Sequence, residues 1–264
     1  MEKINLQGVP ETMLQTLYAR AAESQKENHC IYDEKAIEMV SRLDYDFSKA
    51  SKDGMMSKGV IARTILLDRM VTEYLSQNPG AVVINIACGL DTRCYRMKGY
   101  SRWYNLDLPE TISVRERFLP ETDPIFQIGK SADDESWAEE VSHKGEPVLV
   151  IIEGLTMYLT QQQVQKIFRI IGENFPSAEV LMETMSPWVV GHVKEKSIEG
   201  SQAKFTWGVS DGKNLQALLP GFESVEDVSL AEGMKVFMPV YRFLSKLKIV
   251  SNISNKIMVL KHKG

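Results

Sequence analysis

The stretch Ala81-Val82-Val83-Ile84-Asn85-Ile86, followed by Ala87-Cys88-Gly89, decides the fold of this chain. A short apolar run rich in β-branched residues predicts a strand that is buried on both faces. Further runs of this kind follow along the chain, and amphipathic segments that predict helices separate them. This alternation predicts βαβ units and a doubly wound, mostly parallel sheet. The further strands are expected at residues 103–106, 124–128, 148–152, 179–182 and 256–260.

Residues 1–78 have a different pattern, with apolar side chains at helical spacing and no convincing strand. We expect helices to begin near Pro10, Asp33 and Ser57, the last of them ending at Asn78 before Pro79 and Gly80. The sequence thus predicts one domain over residues 1–264, with a helical cap followed by an α/β core. The cap is expected at residues 1–78, the core at 79–264, helices near 187–198 and 211–219, and a lid-like segment at about 186–220.

Composition excludes several classes of protein. The chain has 264 residues, 44% of them hydrophobic and 25% charged, which is typical of a globular protein and not of a disordered one. Its formal charge of −4 gives no electrostatic reason for binding nucleic acid. The three cysteines show no CxxC spacing. No apolar run is long enough to span a membrane, and the N-terminus lacks the apolar core of a signal peptide. We therefore expect a cytoplasmic protein with neither a membrane nor a nucleic acid as partner.

Ligands of open α/β sheets bind at the carboxyl ends of the strands, where this sequence places two acidic residues. Gly89 would let a ligand approach the backbone closely, or it belongs to an ordinary turn. Asp107, at the end of the second strand, can accept both hydroxyls of an adenosine ribose, or cap the helix that follows. Glu153 interrupts an apolar run, so it needs a ligand ammonium or a protein cation as partner. Arg63, on the cap, can bind a carboxylate or remain solvated.

These four residues together match an amino acid joined to adenosine, and S-adenosylmethionine is such a molecule. A nicotinamide dinucleotide would also use the ribose acid, but the second and third glycines of its GxGxxG loop are missing after the first strand. A non-catalytic nucleotide-binding module is a further alternative. No His or Cys spacing typical of a metal site is present, so we expect no metal.

Several motifs then occur in an order that resembles the leucine carboxyl methyltransferase family. They are VVINIACGLDTRCYRM at 82–97, NLDLPE at 105–110 and IIEGLTMYL at 151–159. The segments GVPET at 8–12, LYARA at 17–21 and DYDFSK at 44–49 resemble its bacterial polyketide O-methyltransferase branch, the tetracenomycin type. The resemblance covers about residues 8–185, and FTWG at 205–208 continues it faintly.

The resemblance implies a class I methyltransferase fold, with S-adenosylmethionine as donor and a carboxyl or hydroxyl oxygen of a small, polyketide-like molecule as acceptor. A protein C-terminal carboxylate is the alternative acceptor. The residues that would hold the cofactor are Arg63 at the methionine carboxylate, Gly89 under the methionine and ribose, Asp107 with Leu108 at the ribose, and Glu153 at the amino group. Ser131 and Ala132 take the position of the adenine contact, where better-studied relatives carry Asp-Leu, so Asp133 or Asp134 is an alternative.

The acceptor side is less defined by the sequence. Tyr18, Arg20 and Tyr158 lie in motifs that flank the cofactor residues, so we expect them to face the acceptor or to pack in the core. A carboxylate acceptor needs no general base, whereas a phenol needs one or a lowered pKa. His192 is the candidate base, with a solvated or structural histidine as the alternative.

Overall fold

A computed structural model describes residues 2–3, 9–192, 204–245 and 247–264 of the chain. Its N-terminal part is mainly helical, and polar caps set the start of two helices. The carboxylate of Asp33 accepts the backbone N–H of Ala36, and that of Asp53 accepts the N–H of Met56. The elements are β1 (Glu2–Lys3), α1 (Val9–Ser24), α2 (Glu34–Arg42), β2 (Leu43–Asp44), α3 (Ser48–Lys52) and α4 (Gly54–Gln77).

A seven-stranded sheet follows, and its first five strands are parallel. The strands are β3 (Ala81–Ile86), β4 (Tyr100–Asp107), β5 (Ile125–Gly129), β6 (Val148–Ile152), β7 (Ala178–Thr184), β8 (Phe222–Ser229) and β9 (Lys256–His262). Their spatial order is β5-β4-β3-β6-β7-β9-β8, with β9 antiparallel to both of its neighbours. The prediction of a doubly wound, mostly parallel sheet is confirmed.

Helices connect these strands. They are α5 (Arg93–Arg96), α6 (Pro109–Glu116), α7 (Gln161–Asn174), α8 (Pro187–His192), α9 (Gly212–Leu218), α10 (Tyr241–Leu244) and α11 (Lys248–Ile253), with 3-10 helices at Glu135–Glu140, Thr156–Tyr158 and Leu230–Val236. None of the helices in the described ranges is both long and apolar enough to cross a membrane.

The two faces of the sheet are covered by different parts of the chain. Ile84 of β3 packs in a cluster that includes Phe168 of α7, while the adjacent Val83 packs in a second cluster that includes Leu67 and Val71 of α4. Alternate residues of a strand point to opposite faces, so a central strand covered on both sides must be apolar throughout. The prediction grouped all of α4 with the N-terminal cap, but its C-terminal half packs against the sheet.

The structure differs from the predicted elements mainly after residue 186. Strand β8 was not predicted, because its sequence FESVEDVS contains three acidic residues on a partly solvated strand at the edge of the sheet. Helix α9 lies within the predicted 211–219 segment. The predicted helix near 187–198 is helical over Pro187–His192, and its remainder lies outside the described residues. Residues 193–203 of the lid-like segment also lie outside them.

Candidate active site

A cavity of about 280 Å³ opens at the carboxyl ends of β3, β4 and β6. The chain order of the strands reverses here, since β3 leads to β4 on one side and has β6 on the other. Such a switch point is where open α/β sheets bind their ligands. The cavity is lined by eight of the ten residues predicted for cofactor and acceptor: Arg20, Arg63, Gly89, Asp107, Leu108, Ser131, Ala132 and Glu153.

The loop after β3 is held to the end of β4 by a carboxylate. Asp107 Oδ2 accepts the backbone N–H of Gly89 at 2.7 Å, and its Oδ1 accepts the N–H of Leu108 at 2.7 Å. Burial raises the pKa of the Asp107 carboxyl above its ordinary value, against these two backbone donors, which lower it. Leu108, and not Asp107, is the capping residue of α6. Asp107 therefore lines the cavity with a carboxylate whose remaining lone pairs can accept further hydrogen bonds.

Gly89 itself has a left-handed backbone, with φ of +48°. A side chain there would be strained, and its Cβ would lie 3.2 Å from Cβ of Met13 on α1. Ala87, two residues earlier, also has a positive φ, of +55°. Non-glycine residues in this region are uncommon and cluster at ligand sites. The close approach predicted for Gly89 thus coincides with a tight, strained loop under the cavity.

Arg63 and Glu153, predicted as the two receptors for an amino acid, contact each other. Arg63 Nε lies 2.6 Å from Glu153 Oε1, and Arg63 Nη1 donates to Oε2 of Glu183 at 2.8 Å. The alternative that Glu153 pairs with a protein arginine is therefore what the structure shows. The Nε–H of Arg63 is buried and is not aligned for a hydrogen bond, although Glu153 Oε1 lies 2.6 Å from this nitrogen.

Arg93 anchors the other side of Glu153. Its guanidinium, 1% exposed, lies 2.9 Å from Glu153 Oε2, 2.7 Å from Asp91 Oδ2 and 2.6 Å from Asp68 Oδ1. Burial opposes ionisation of Glu153, but Arg63 and Arg93 outweigh it and lower the pKa of this carboxyl. Burial likewise opposes ionisation of Asp91, and its arginine neighbours, Arg93 foremost, hold its pKa well below the ordinary value. The cavity wall therefore carries fixed carboxylates.

Sequence reasoning missed Asp91, Arg93 and Glu183 as members of this site. The signal for Glu183 is the same as that for Glu153, because it interrupts the apolar run of β7. Its Oε2 also accepts the backbone N–H of Gly154 at 2.8 Å, which fixes the turn after β6. Asp91 and Arg93 stand in the segment DTR, where an acid and a base two residues apart look like ordinary surface charges.

The segment after β5 places Lys130, Ser131, Ala132 and Asp133 on the cavity. Ser131 Oγ donates to Oδ1 of Asp133 at 2.6 Å. Asp134 is not among the lining residues, and its carboxylate accepts the backbone N–H of Ser136 at the start of a 3-10 helix. Of the two acidic alternatives for the adenine contact, the structure places Asp133 at the cavity.

The residues predicted to face the acceptor do not come together. Arg20 lines the cavity, but its guanidinium is 2.9 Å from Asp33 and donates to the carbonyl of Leu90 at 2.8 Å. The Tyr18 ring stacks on Phe47, and Tyr158 lies against Phe205; neither tyrosine lines the cavity. His192 is exposed and stacks on Trp188 outside it.

Comparison with known proteins identifies the family. Residues 13–172 match the model of the leucine carboxyl methyltransferase family. The chain belongs to this family. It is 33% identical over 88% of its length to the tetracenomycin polyketide synthesis O-methyltransferase TcmP of Streptomyces glaucescens, of which the match covers 87%. It is 31% identical over 84% of its length to the S-adenosyl-L-methionine-dependent methyltransferase dpfgK of Gibberella zeae, of which the match covers 82%.

Solved structures show the same fold at low sequence identity. A DUF574 family protein from Streptomyces avermitilis has a TM-score of 0.62 at 12% identity, covering 96% of this chain and 97% of its own. The magnesium protoporphyrin IX methyltransferase of Synechocystis, solved with bound S-adenosylhomocysteine, has a TM-score of 0.51 at 8% identity, covering 80% and 88%. The leucine carboxyl methyltransferase family member described here has the class I methyltransferase fold.

The family member is an S-adenosylmethionine-dependent methyltransferase, and the donor set of the cavity fits that cofactor. Arg63, a cation, and Glu153, an anion, lie side by side on the cavity. The Asp107 carboxylate and the strained Gly89 loop complete the arrangement. An adenosine that carries an amino acid offers a partner for each of these groups.

Proposed function

We propose that this leucine carboxyl methyltransferase family member transfers a methyl group to a carboxyl or hydroxyl oxygen of a small, polyketide-like molecule. The observation that carries the proposal is the Arg63–Glu153 pair, which lines the switch-point cavity beside Asp107. The names of the two relatives, an O-methyltransferase of polyketide synthesis and an S-adenosylmethionine-dependent methyltransferase, support it.

In this proposal the protein's Arg63–Glu153 ion pair is replaced by two ion pairs with the amino-acid end of S-adenosylmethionine. The ligand carboxylate binds Arg63. The ligand ammonium binds Glu153, which also contacts Arg93 at 2.9 Å. The glutamate stays ionised because its pKa is lowered, so it can bind a cation at neutral pH. Charge is conserved in the exchange, which limits the desolvation penalty of opening a buried pair.

The adenosine end is proposed to lie over Gly89 and to be held by Asp107. The two Asp107 oxygens are fixed by the N–H groups of Gly89 and Leu108, so the carboxylate is oriented before a ribose arrives. Ser131, Ala132 and Asp133 are proposed to contact the adenine, with Leu108, which is 39% exposed, as an apolar wall. The bound cofactor supplies an electrophilic methyl on a sulfonium, and the protein positions the acceptor oxygen in line with it.

The ionisable groups of the described cavity include no histidine, which is compatible with an acceptor that needs no general base. Among the described residues that line it, these groups are arginines, Lys130, carboxylates and the thiol of Cys88. Burial raises the pKa of the Cys88 thiol well above its ordinary value, so it stays protonated and does not accept a proton. An acceptor carboxylate needs no base.

Methyl transfer to a panel of acceptors tests the proposal. Purified protein is incubated with S-adenosylmethionine labelled at the methyl group and with aromatic carboxylic acids, phenols, or a peptide with a free C-terminal leucine carboxylate. Mild base releases labelled methanol from a methyl ester, whereas an aryl methyl ether survives. We expect label in the small carboxylic acids, released by base. Label only in the peptide, or in no acceptor although the cofactor binds, would contradict the small-molecule proposal.

A further inference from the structure

A buried arginine of α6 lies next to the cavity without an ion pair. Arg115 is completely buried, and its guanidinium is paired with no carboxylate of the described residues. Removing a charge from water is costly, so buried charges are normally paired with an opposite charge. Arg93, which is almost as completely buried, follows this rule and contacts three carboxylates. The bonds that Arg115 makes instead indicate a different role.

The guanidinium of Arg115 is hydrogen-bonded to three segments of the chain. Its Nη1 donates to the carbonyl oxygens of Gly89 at 3.1 Å and Asp91 at 2.6 Å, in the loop after β3. Its Nε donates to Oε1 of Gln127 on β5 at 3.0 Å, and its Nη2 to Sγ of Cys94 on α5 at 3.7 Å. Arg115 thus connects the loop under the cavity to the neighbouring strand and helix.

The position of Arg115 in α6 explains how it reaches this loop. Helix α6 begins at Pro109, two residues after Asp107, and Arg115 lies in its last turn. Side chains of an α-helix point towards its N-terminus, so the long side chain of Arg115 extends back towards the strand end that carries Asp107. Asp107 accepts the N–H of Gly89 at 2.7 Å, while Arg115 donates to the carbonyl of the same residue. Both polar groups of the Gly89 backbone are therefore fixed from one short segment.

Arginines bind three successive carbonyl groups of this loop. Arg115 donates to those of Gly89 and Asp91, and Arg20 donates to that of Leu90 at 2.8 Å. Gly89 has a φ of +48°. A strained backbone of this kind persists only where the surrounding structure holds it in place. The bonds to the arginines supply that restraint.

We propose that Arg115 is a positioning residue for the cofactor, which fixes the loop from Gly89 to Asp91 in the conformation that binds adenosine. This inference rests on the proposal that the switch-point cavity is the cofactor site. Arginine suits the role because its planar guanidinium presents five N–H donors in a fixed fork, whereas lysine carries three donors on one nitrogen. Arg115 does not line the cavity, so it acts on the ligand through the loop.

The charge of Arg115 also acts on Asp107. Burial raises the pKa of the Asp107 carboxyl, and the two backbone donors described above, Thr111 and Arg115 lower it. Cys88, whose thiol stays protonated, is a further titratable group beside Asp107. The ionised carboxylate only accepts hydrogen bonds, as two ribose hydroxyls require. Loss of the arginine charge should raise the pKa of Asp107 further, so that ligand binding weakens at a higher pH.

Calorimetric titration of the full chain with S-adenosylhomocysteine tests the proposal. Arg115→Met keeps the apolar part of the side chain and removes every hydrogen bond, so it should weaken binding at neutral pH by at least about tenfold. Arg115→Lys keeps the charge but cannot form the same set of bonds, and about a threefold loss is expected. Leu260→Ala is the control, because Leu260 of β9 is completely buried and does not line the cavity. It should destabilise the protein and bind as the wild type does.

The pH dependence of the affinity separates positioning from a general loss of stability. As the pH falls, binding should weaken at a higher pH in Arg115→Met than in the wild type, whereas Arg115→Lys should follow the wild-type profile. Wild-type affinity or an unshifted profile in Arg115→Met, or an equal loss in Leu260→Ala, would overturn the proposal. If Arg115→Met does not fold, wild-type affinity in Arg115→Lys would overturn it. A wild type that does not bind the ligand would instead refute the assignment of the cavity, and this inference with it.

Discussion

Replacement of Arg93 by methionine tests the role of buried charge at the site. Arg93 is 1% exposed and holds three carboxylates, at 2.6 Å for Asp68, 2.7 Å for Asp91 and 2.9 Å for Glu153. Each of these carboxylates keeps at least one other partner in the variant. Breaking a buried pair by removing one partner costs about 3–5 kcal/mol, because it leaves uncompensated charge behind. We expect Arg93→Met to lower the free energy of unfolding by about this amount.

Urea denaturation measures the loss, and the chain offers a control with similar geometry. Arg169 is 2.6 Å from Glu135, but both side chains are more than half exposed. Arg169→Met should therefore cost less than about 1 kcal/mol. If Arg93→Met proves too unstable to purify, Arg93→Lys, which keeps the charge, is expected to lose less. Equal costs for Arg93→Met and Arg169→Met would refute the reasoning that burial decides the strength of these pairs.

The loss should also depend on pH. In the wild type the pKa values of Asp91 and Glu153 lie below the ordinary values of 3.8 and 4.5. These two carboxylates therefore stabilise the folded protein fully above the ordinary pKa values, and this stabilisation is lost as the pH falls through the pKa values of the folded state. Without Arg93 both pKa values rise, and protonation relieves the repulsion at a higher pH. The difference between wild type and Arg93→Met should therefore shrink as the pH falls from neutral towards the ordinary values. A difference that stays constant would contradict this account.

Three glycine substitutions give further predictions. Gly89 has a φ of +48°, and the Cβ of an alanine there would lie 3.2 Å from that of Met13. Gly89→Ala should therefore lower the free energy of unfolding by about 1–2 kcal/mol and weaken the binding of S-adenosylhomocysteine that calorimetry measures. Unchanged stability and affinity would contradict the strain assigned to this loop. Gly233→Ala places a Cβ against the backbone of Ala62 on α4, so we expect the free energy of unfolding to fall by at least about 2 kcal/mol in urea denaturation. A smaller decrease would mean that this contact relaxes easily. Gly59→Ala, within α4 and with no atom within 4 Å of the new Cβ, should instead raise the stability by about 0.5–1 kcal/mol, which the midpoint of thermal unfolding reports; a lower midpoint would show that the space is not free.

Much of the sheet could be predicted because its central strands are apolar on both faces. The runs at 81–86 and 148–152 match β3 and β6 residue for residue. Strand β8 could not be found in this way, because it lies at the edge of the sheet and carries Glu223, Glu226 and Asp227. A central strand is apolar because both of its faces are buried, whereas an edge strand is partly solvated and can carry charged residues.

The position of the site was predictable, but its ion pairs were not. Strand ends identified Asp107 and Glu153, because a charged residue that ends an apolar run requires a partner. One partner of Glu153 is Arg63, which lies 90 residues earlier on a helix, and no local spacing reports such a contact. Tyr18 was expected to face the acceptor or to pack in the core, and the structure stacks it on Phe47, where it does not line this cavity.

Calorimetric titration with S-adenosylhomocysteine tests the central claim, that the switch-point cavity is the cofactor site of this methyltransferase, most directly. The wild type should bind this ligand with micromolar affinity and should not bind NADH. Asp107→Asn replaces one acceptor oxygen by an amide that cannot accept the N–H of Gly89 or Leu108, and it should weaken binding by at least about tenfold. Binding of NADH without S-adenosylhomocysteine, or full affinity in a folded Asp107→Asn variant, would contradict the account.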